Sequence, residues 1–132
     1  MPYGAARALA VLALLTGCAT ARDALPLPTG TLWGYTVPSQ TGSQELVITF
    51  DRVVCNTVRA RYARQVAAPV YLAECRALTL APGTDHWIIP AVDMSGYLGA
   101  QTQEECEAIE RRQSRDVGQS NRVCQAVRVE FR

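Results

Sequence analysis

The chain contains no lysine, and His86 is its only histidine. Without lysine the glycine pair in Gly96-Tyr97-Leu98-Gly99 is no phosphate-binding loop, and its glycines read as turn residues. No Cys-x-x-Cys pair occurs, so the knuckle of a four-cysteine zinc site is missing. An excess of either charge is absent as well. All thirteen cationic residues are Arg, only Arg7 precedes Cys18, and the twelve that follow balance twelve acidic side chains. That neutrality argues against nucleic acid or an anionic surface as an electrostatic partner. The one long apolar run, residues 8–15, has eight residues, where spanning a bilayer takes about 20.

What is present is the composition of a globular protein, 48% hydrophobic and 19% charged, in a 132-residue chain that suits one domain. Residues 1–7 carry a single positive charge and lead into the apolar run, which ends at Leu15-Thr16-Gly17-Cys18. This pattern resembles the lipobox of bacterial lipoproteins, in which the cysteine receives lipid and becomes the first residue. The resemblance implies a signal peptide over 1–17, diacylglycerol on the Cys18 sulfur and acylation of the new N-terminus. With more than one acyl chain the attachment is durable. Ala19 follows the cysteine where an Asp would favour inner-membrane retention, so the expected address is the periplasmic face of the outer membrane. Residues 18–30, with Pro26, Pro28 and Gly30, read as the lipidated cysteine and a short tether, and 31–132 as a single domain.

With Cys18 assigned to lipid, Cys55, Cys75, Cys106 and Cys124 remain, the even number expected in an oxidising compartment. They also mark an internal likeness. Cys55 continues into an Arg-bearing helical stretch, and Cys75-Arg76-Ala77 opens an alternating apolar run. Cys106 and Cys124-Gln125-Ala126 repeat the arrangement, with Trp33 and Trp87 preceding each unit at similar distances. The domain is therefore expected to hold two related strand–helix–strand halves, 31–81 and 86–132. Strands are expected over 31–37 and 45–50 from their alternation. Asp51 should cap a helix with Val54, Val58, Tyr62 and Val66 as its apolar face, ended by Pro69, the alternative being a strand that continues through Val53-Val54, and a strand or strand pair returns over 70–80. In the second unit 86–89 forms a short apolar run and 90–100 reads as irregular. Thr102 and Glu105 form the capping box of a helix that stops at Gly118, and 122–131 is a strand. If each helix lies on the sheet, Cys55 pairs with Cys75 and Cys106 with Cys124. The fold class is α+β: a small antiparallel sheet with two helices on one face, stapled by two disulfides.

Catalytic chemistry is thinly represented. Ser95, His86 and Asp93, with Asp85 beside the histidine, compose a hydrolase set on paper, but no nucleophile-elbow pattern surrounds Ser95. Asp85, His86 and Asp93 lack metal-ligand spacing, and neither a metal nor a cofactor is expected. Two candidate binding features remain: the cations Arg59, Arg61 and Arg64 on the first helix, and the stretch 87–98 beginning at Trp87. Function therefore reads as a non-enzymatic binding or accessory module of the cell envelope with an envelope protein as partner. A small hydrolase using His86, or an inhibitor-like domain presenting a braced loop over 82–100, are the alternatives.

Overall fold

A computed structural model describes residues 26–38, 42–65, 72–93, 95–117 and 122–132. The expected signal segment 1–17, Cys18, the expected tether up to residue 25, Val66, Pro69 and Gly118 lie outside the described residues. Two strands, β1 (Leu32–Pro38) and β2 (Gln44–Thr49), form an antiparallel hairpin. Leu46 and Ile48 are buried on one side of β2 while Val47 faces the other. Phe50 does not extend that alternation. The Thr49 hydroxyl lies 3.1 Å from the Trp33 carbonyl and 3.0 Å from the Asp51 carbonyl, and this shared donor turns the chain out of the sheet.

Helix α1 (Arg52–Gln65) starts at Asp51, whose Oδ1 accepts from the amides of Val53 (2.7 Å) and Val54 (3.1 Å). Its contact face differs from the expected Val54–Val58–Tyr62 stripe. Val54 and Tyr62 are exposed, and Cys55 with Val58 packs on the sheet instead. Two anchors rotate the helix this way: the Cys55–Cys75 disulfide, and Arg59, which donates to the carbonyls of Ala73 (2.7 Å) and Leu72 (2.8 Å).

Three expectations are corrected in the rest of the sheet. The strand expected over 70–80 and the run at 86–89 are one long strand, β3 (Arg76–Pro90), with a register break between Ala81 and His86. The stretch read as irregular contains β4 (Gly96–Ala100), paired with β2 and with the end of β3. Its glycines are needed for strand packing: a Cβ on Gly96 would sit 1.8 Å from the Ile48 carbonyl oxygen. The last strand, β5 (Gln125–Phe131), starts later than expected, leaving Val123 exposed and Val127 fully buried. Between β4 and β5 lies helix α2 (Gln103–Val117), whose Thr102 Oγ1 accepts from the Glu105 amide at 3.2 Å. The return half of that box is less complete, since Glu105 Oε2 is buried without a partner among the described residues.

These strands form one antiparallel sheet of five, ordered β1–β2–β4–β3–β5 with a further pairing of β1 to β3. That further pairing closes it. Taking β3 as two segments on either side of its register break, the pairings run β1–β2–β4–β3(86–90)–β5–β3(76–81) and back to β1. Closure gives every strand a neighbour on both sides along part of its length, which shortens the free edges most prone to pairing with another chain. Leu32, Leu46, Ile48, Leu78, Ile88 and Val127 fill the interior, and Leu27, within the stretch expected as a tether, packs against them.

Both helices lie on the outer face, each over its own hairpin. The two halves correspond in register as well as in order. Trp33 stands opposite Ala77 and Thr49, and Trp87 stands opposite Ala126 and Ala100. The Asp51 carbonyl accepts from the Cys55 amide at 3.0 Å, and the Thr102 carbonyl from the Cys106 amide at 3.1 Å. In the β2–β4 ladder Val47 faces Leu98, flanked by Ile48–Tyr97 and Leu46–Gly99. Exchanging each residue for its counterpart maps these three pairs onto one another. An approximate two-fold axis thus passes through the Val47–Leu98 pair. Cys55–Cys75 and Cys106–Cys124 staple the equivalent places, with Cα separations of 6.3 and 6.1 Å.

Candidate functional site

The approximate axis emerges on the outer face between the two helices, and there the sheet is only partly covered. Val47 and Leu98 form the floor of a groove whose walls are Val58 and Arg61 of α1 and Gln113 of α2. Two cavities share these residues. The first, of about 410 Å³, extends toward Val37 and Glu45, where Tyr35 and Ile109 deepen it and Tyr62 and Arg112 edge it. The second, of about 360 Å³, extends toward the turn after β3 and is bounded by Thr49, Val92, Asp93, Ser95 and Tyr97. Each falls within the size range of small-molecule sites, which are apolar with a few convergent polar groups.

The electrostatics follow the same symmetry. Arg61 and Arg112 are counterparts at equivalent helix positions. Arg112 reaches Glu45 at 2.9 Å, which neutralises both. Asp93 accepts from the Ser95 hydroxyl (2.6 Å) and the Ser95 amide (3.1 Å), and these bonds hold its carboxyl below the usual range, with Arg61 adding a smaller effect. Tyr35, almost fully buried beneath the first cavity, has its phenol pushed up to about 12, first by burial and then by the neighbouring Tyr62, with Arg59 opposing. It therefore presents a neutral hydroxyl at any physiological pH. The groove offers an apolar floor, the Arg61 guanidinium, which forms no ion pair among the described residues, and phenol and amide groups along its walls.

The residues singled out from the sequence are dispersed. Arg59 is spent on the carbonyls that precede Cys75, Arg61 lines the groove, and Arg64 is exposed beyond it. Trp87 packs against the buried cluster of Ile89, Ala100, Cys106 and Ile109, as Trp33 packs against the cluster that holds Cys55. Segment 87–98 is mostly a hairpin of the sheet, with Ile88 and Ile89 buried. It does not form a protruding loop. His86 Nδ1 lies 3.1 Å from Asp85 Oδ1, while Ser95 is bonded to Asp93 at the far end of the β3–β4 hairpin. Four residues of strand between them amount to about 13 Å, so the two pairs form no triad. Among the described residues no cluster of three metal-binding side chains occurs, and no helix is long and apolar enough to cross a membrane.

The groove residues Val47, Leu98, Tyr35 and Gln113 carried no signal as a site in the sequence, because each has the ordinary pattern of a core or helix-face position. Only their placement around the axis joins them. Comparison with protein-family models, with curated proteins and with solved structures found no match for the chain.

Proposed function

We propose that this protein is a lipid-anchored lipoprotein of the cell envelope, facing the periplasm from the outer membrane, and that its domain is a non-enzymatic binding module. The observation that carries the binding part is the groove over the Val47–Leu98 pair, where an apolar face is walled but not filled. The anchor part is supported by the lipobox-like Leu15-Thr16-Gly17-Cys18 and by four further cysteines paired as two disulfides.

The two cavities that meet over this pair hold about 410 and 360 Å³. A third helix, itself about 10 Å across, does not fit there. A slender ligand with an apolar body does. Val47, Val58 and Leu98 would exclude water from that body, and Arg61 with the Tyr62 hydroxyl and Gln113 amide would orient a polar or anionic end. Native mass spectrometry of protein extracted gently from its own membranes tests this. A discrete noncovalent adduct is expected on the wild type and on Arg64→Ala, and its loss in Val58→Trp, which fills the waist between the cavities. A bare chain in all three samples would contradict the reading.

A further inference from the structure

We propose that one end of the closed sheet, the end carrying Phe50, Val53 and Val92, rests in the acyl region of the membrane, while the opposite end faces the aqueous space. The proposal rests on the lipid-anchor reading above. Three placements carry it.

The first is where the exposed apolar side chains gather. Thr49 pairs with Trp33 at the start of β1 and with Gly96 at the start of β4. The residues just beyond Thr49, the segment preceding β1 and the turn after β3 therefore share one end of the sheet. Phe50 is 52% exposed and Val53 72% exposed there, large values for side chains of this kind. Phe50 rests edge-on against Tyr97, which lines the second cavity together with the exposed Val92. The groove's second cavity thus extends to this same apolar end.

The second is where the chain enters the fold. Leu27 packs into the interior and β1 begins at Leu32, so the covalent link to Cys18 leaves from the end just described. Leu27 lies nine positions after Cys18. Fully extended, this stretch reaches about 30 Å, and any shorter path brings the apolar end closer to the bilayer.

The third is an internal control. The two helices begin in the same way, yet the positions of Phe50, Val53 and Val54 in the first half correspond to Gln101, Glu104 and Glu105 in the second. Equivalent backbone is apolar at the tethered end and polar or acidic at the other. At Val53 packing does not require the difference, since that side chain is largely exposed. The apolar end is also nearly balanced in charge. Arg52 lies over the Trp33 ring at 5.2 Å, Asp51 is occupied by the helix cap, and Asp93 by Ser95. Contact with lipid there would be apolar and insensitive to salt.

Photolabelling tests the orientation on the full acylated chain. The protein is reconstituted in phosphatidylethanolamine–phosphatidylglycerol vesicles doped with a phosphatidylcholine bearing a diazirine in its acyl chain, and labelled peptides are mapped. Labelling of residues 50–54 and 91–93 is expected to exceed that of 101–105 at least about fivefold, and to persist in 0.5 M NaCl. Phe50→Ser with Val53→Ser leaves the Asp51 cap and both disulfides in place, and should lower labelling of 91–93 at least about threefold. Equal labelling of the two ends, loss of the label in salt, or an unchanged pattern in the double variant would overturn the orientation. Intact mass of the same sample separates the two ideas: an acylated chain without this pattern overturns the orientation alone, and an unacylated chain overturns both.

Discussion

Removing each disulfide in turn gives a quantitative test of the two-fold arrangement. Cys55→Ala with Cys75→Ala opens a link across a sequence separation of 20, and Cys106→Ala with Cys124→Ala one of 18. Chain-entropy loss in the unfolded state depends only weakly on loop length, so both staples should contribute roughly 3 kcal/mol. Local environments do not break the tie. Cys55 and Cys106 are both fully buried, and their partners Cys75 and Cys124 both pack at the rim of a helix–sheet cluster. The loops do not overlap in sequence and sit under different helices, so the losses should add to about 6 kcal/mol. For a domain of this size that approaches total stability, and the protein lacking both should be largely unfolded. Urea denaturation of the two pairwise variants measures this, with the slope of each transition checking that the unfolded state has not changed. Losses within about 1 kcal/mol of each other are expected. A variant that loses several kcal/mol beside one that loses almost nothing would refute the equivalence of the halves.

Other consequences follow from single residues. Burial of Tyr35 in its neutral form stabilises the fold up to about pH 10, where the phenol of the unfolded chain ionises. As pH rises from there toward the folded value of about 12, on the order of 2 kcal/mol is lost, so Tyr35→Phe should flatten stability over that window in pH-dependent urea melts. Gly96→Ala places a Cβ against the Ile48 carbonyl, which is backbone and cannot move aside. It should cost about 3 kcal/mol, more than Gly99→Ala, whose nearest neighbour is the Ile88 side chain at 3.2 Å. Asp51→Ala removes the acceptor for two amides and should cost about 1 kcal/mol by the same melts, while Asp51→Asn should be nearly neutral.

Local rules made much of this architecture legible. Asp51 and Thr102 read as helix caps because their side chains can reach orphan amides, and the structure places them so. The cysteine pairing followed from assuming that each helix folds back on a sheet, and both bridges are present. What the sequence concealed was everything set by distance between strands. Gly96-Tyr97-Leu98-Gly99 has the composition of a loop, yet it is a strand because β2 approaches too closely for a side chain at Gly96. The helix face of α1 was misassigned for a related reason. Spacing favoured Val54, but a disulfide and the Arg59 bonds to two carbonyls fix the rotation that buries Cys55 instead. The groove was invisible altogether, since it is made of what the two helices leave uncovered.

Intact mass of the protein taken from its native membranes, before and after reduction and alkylation, tests the central claim most directly. The account predicts a chain that begins at an acylated Cys18, with four cysteines that alkylate only after reduction. A non-acylated chain that retains residues 1–17, or that begins beyond Cys18, would contradict it.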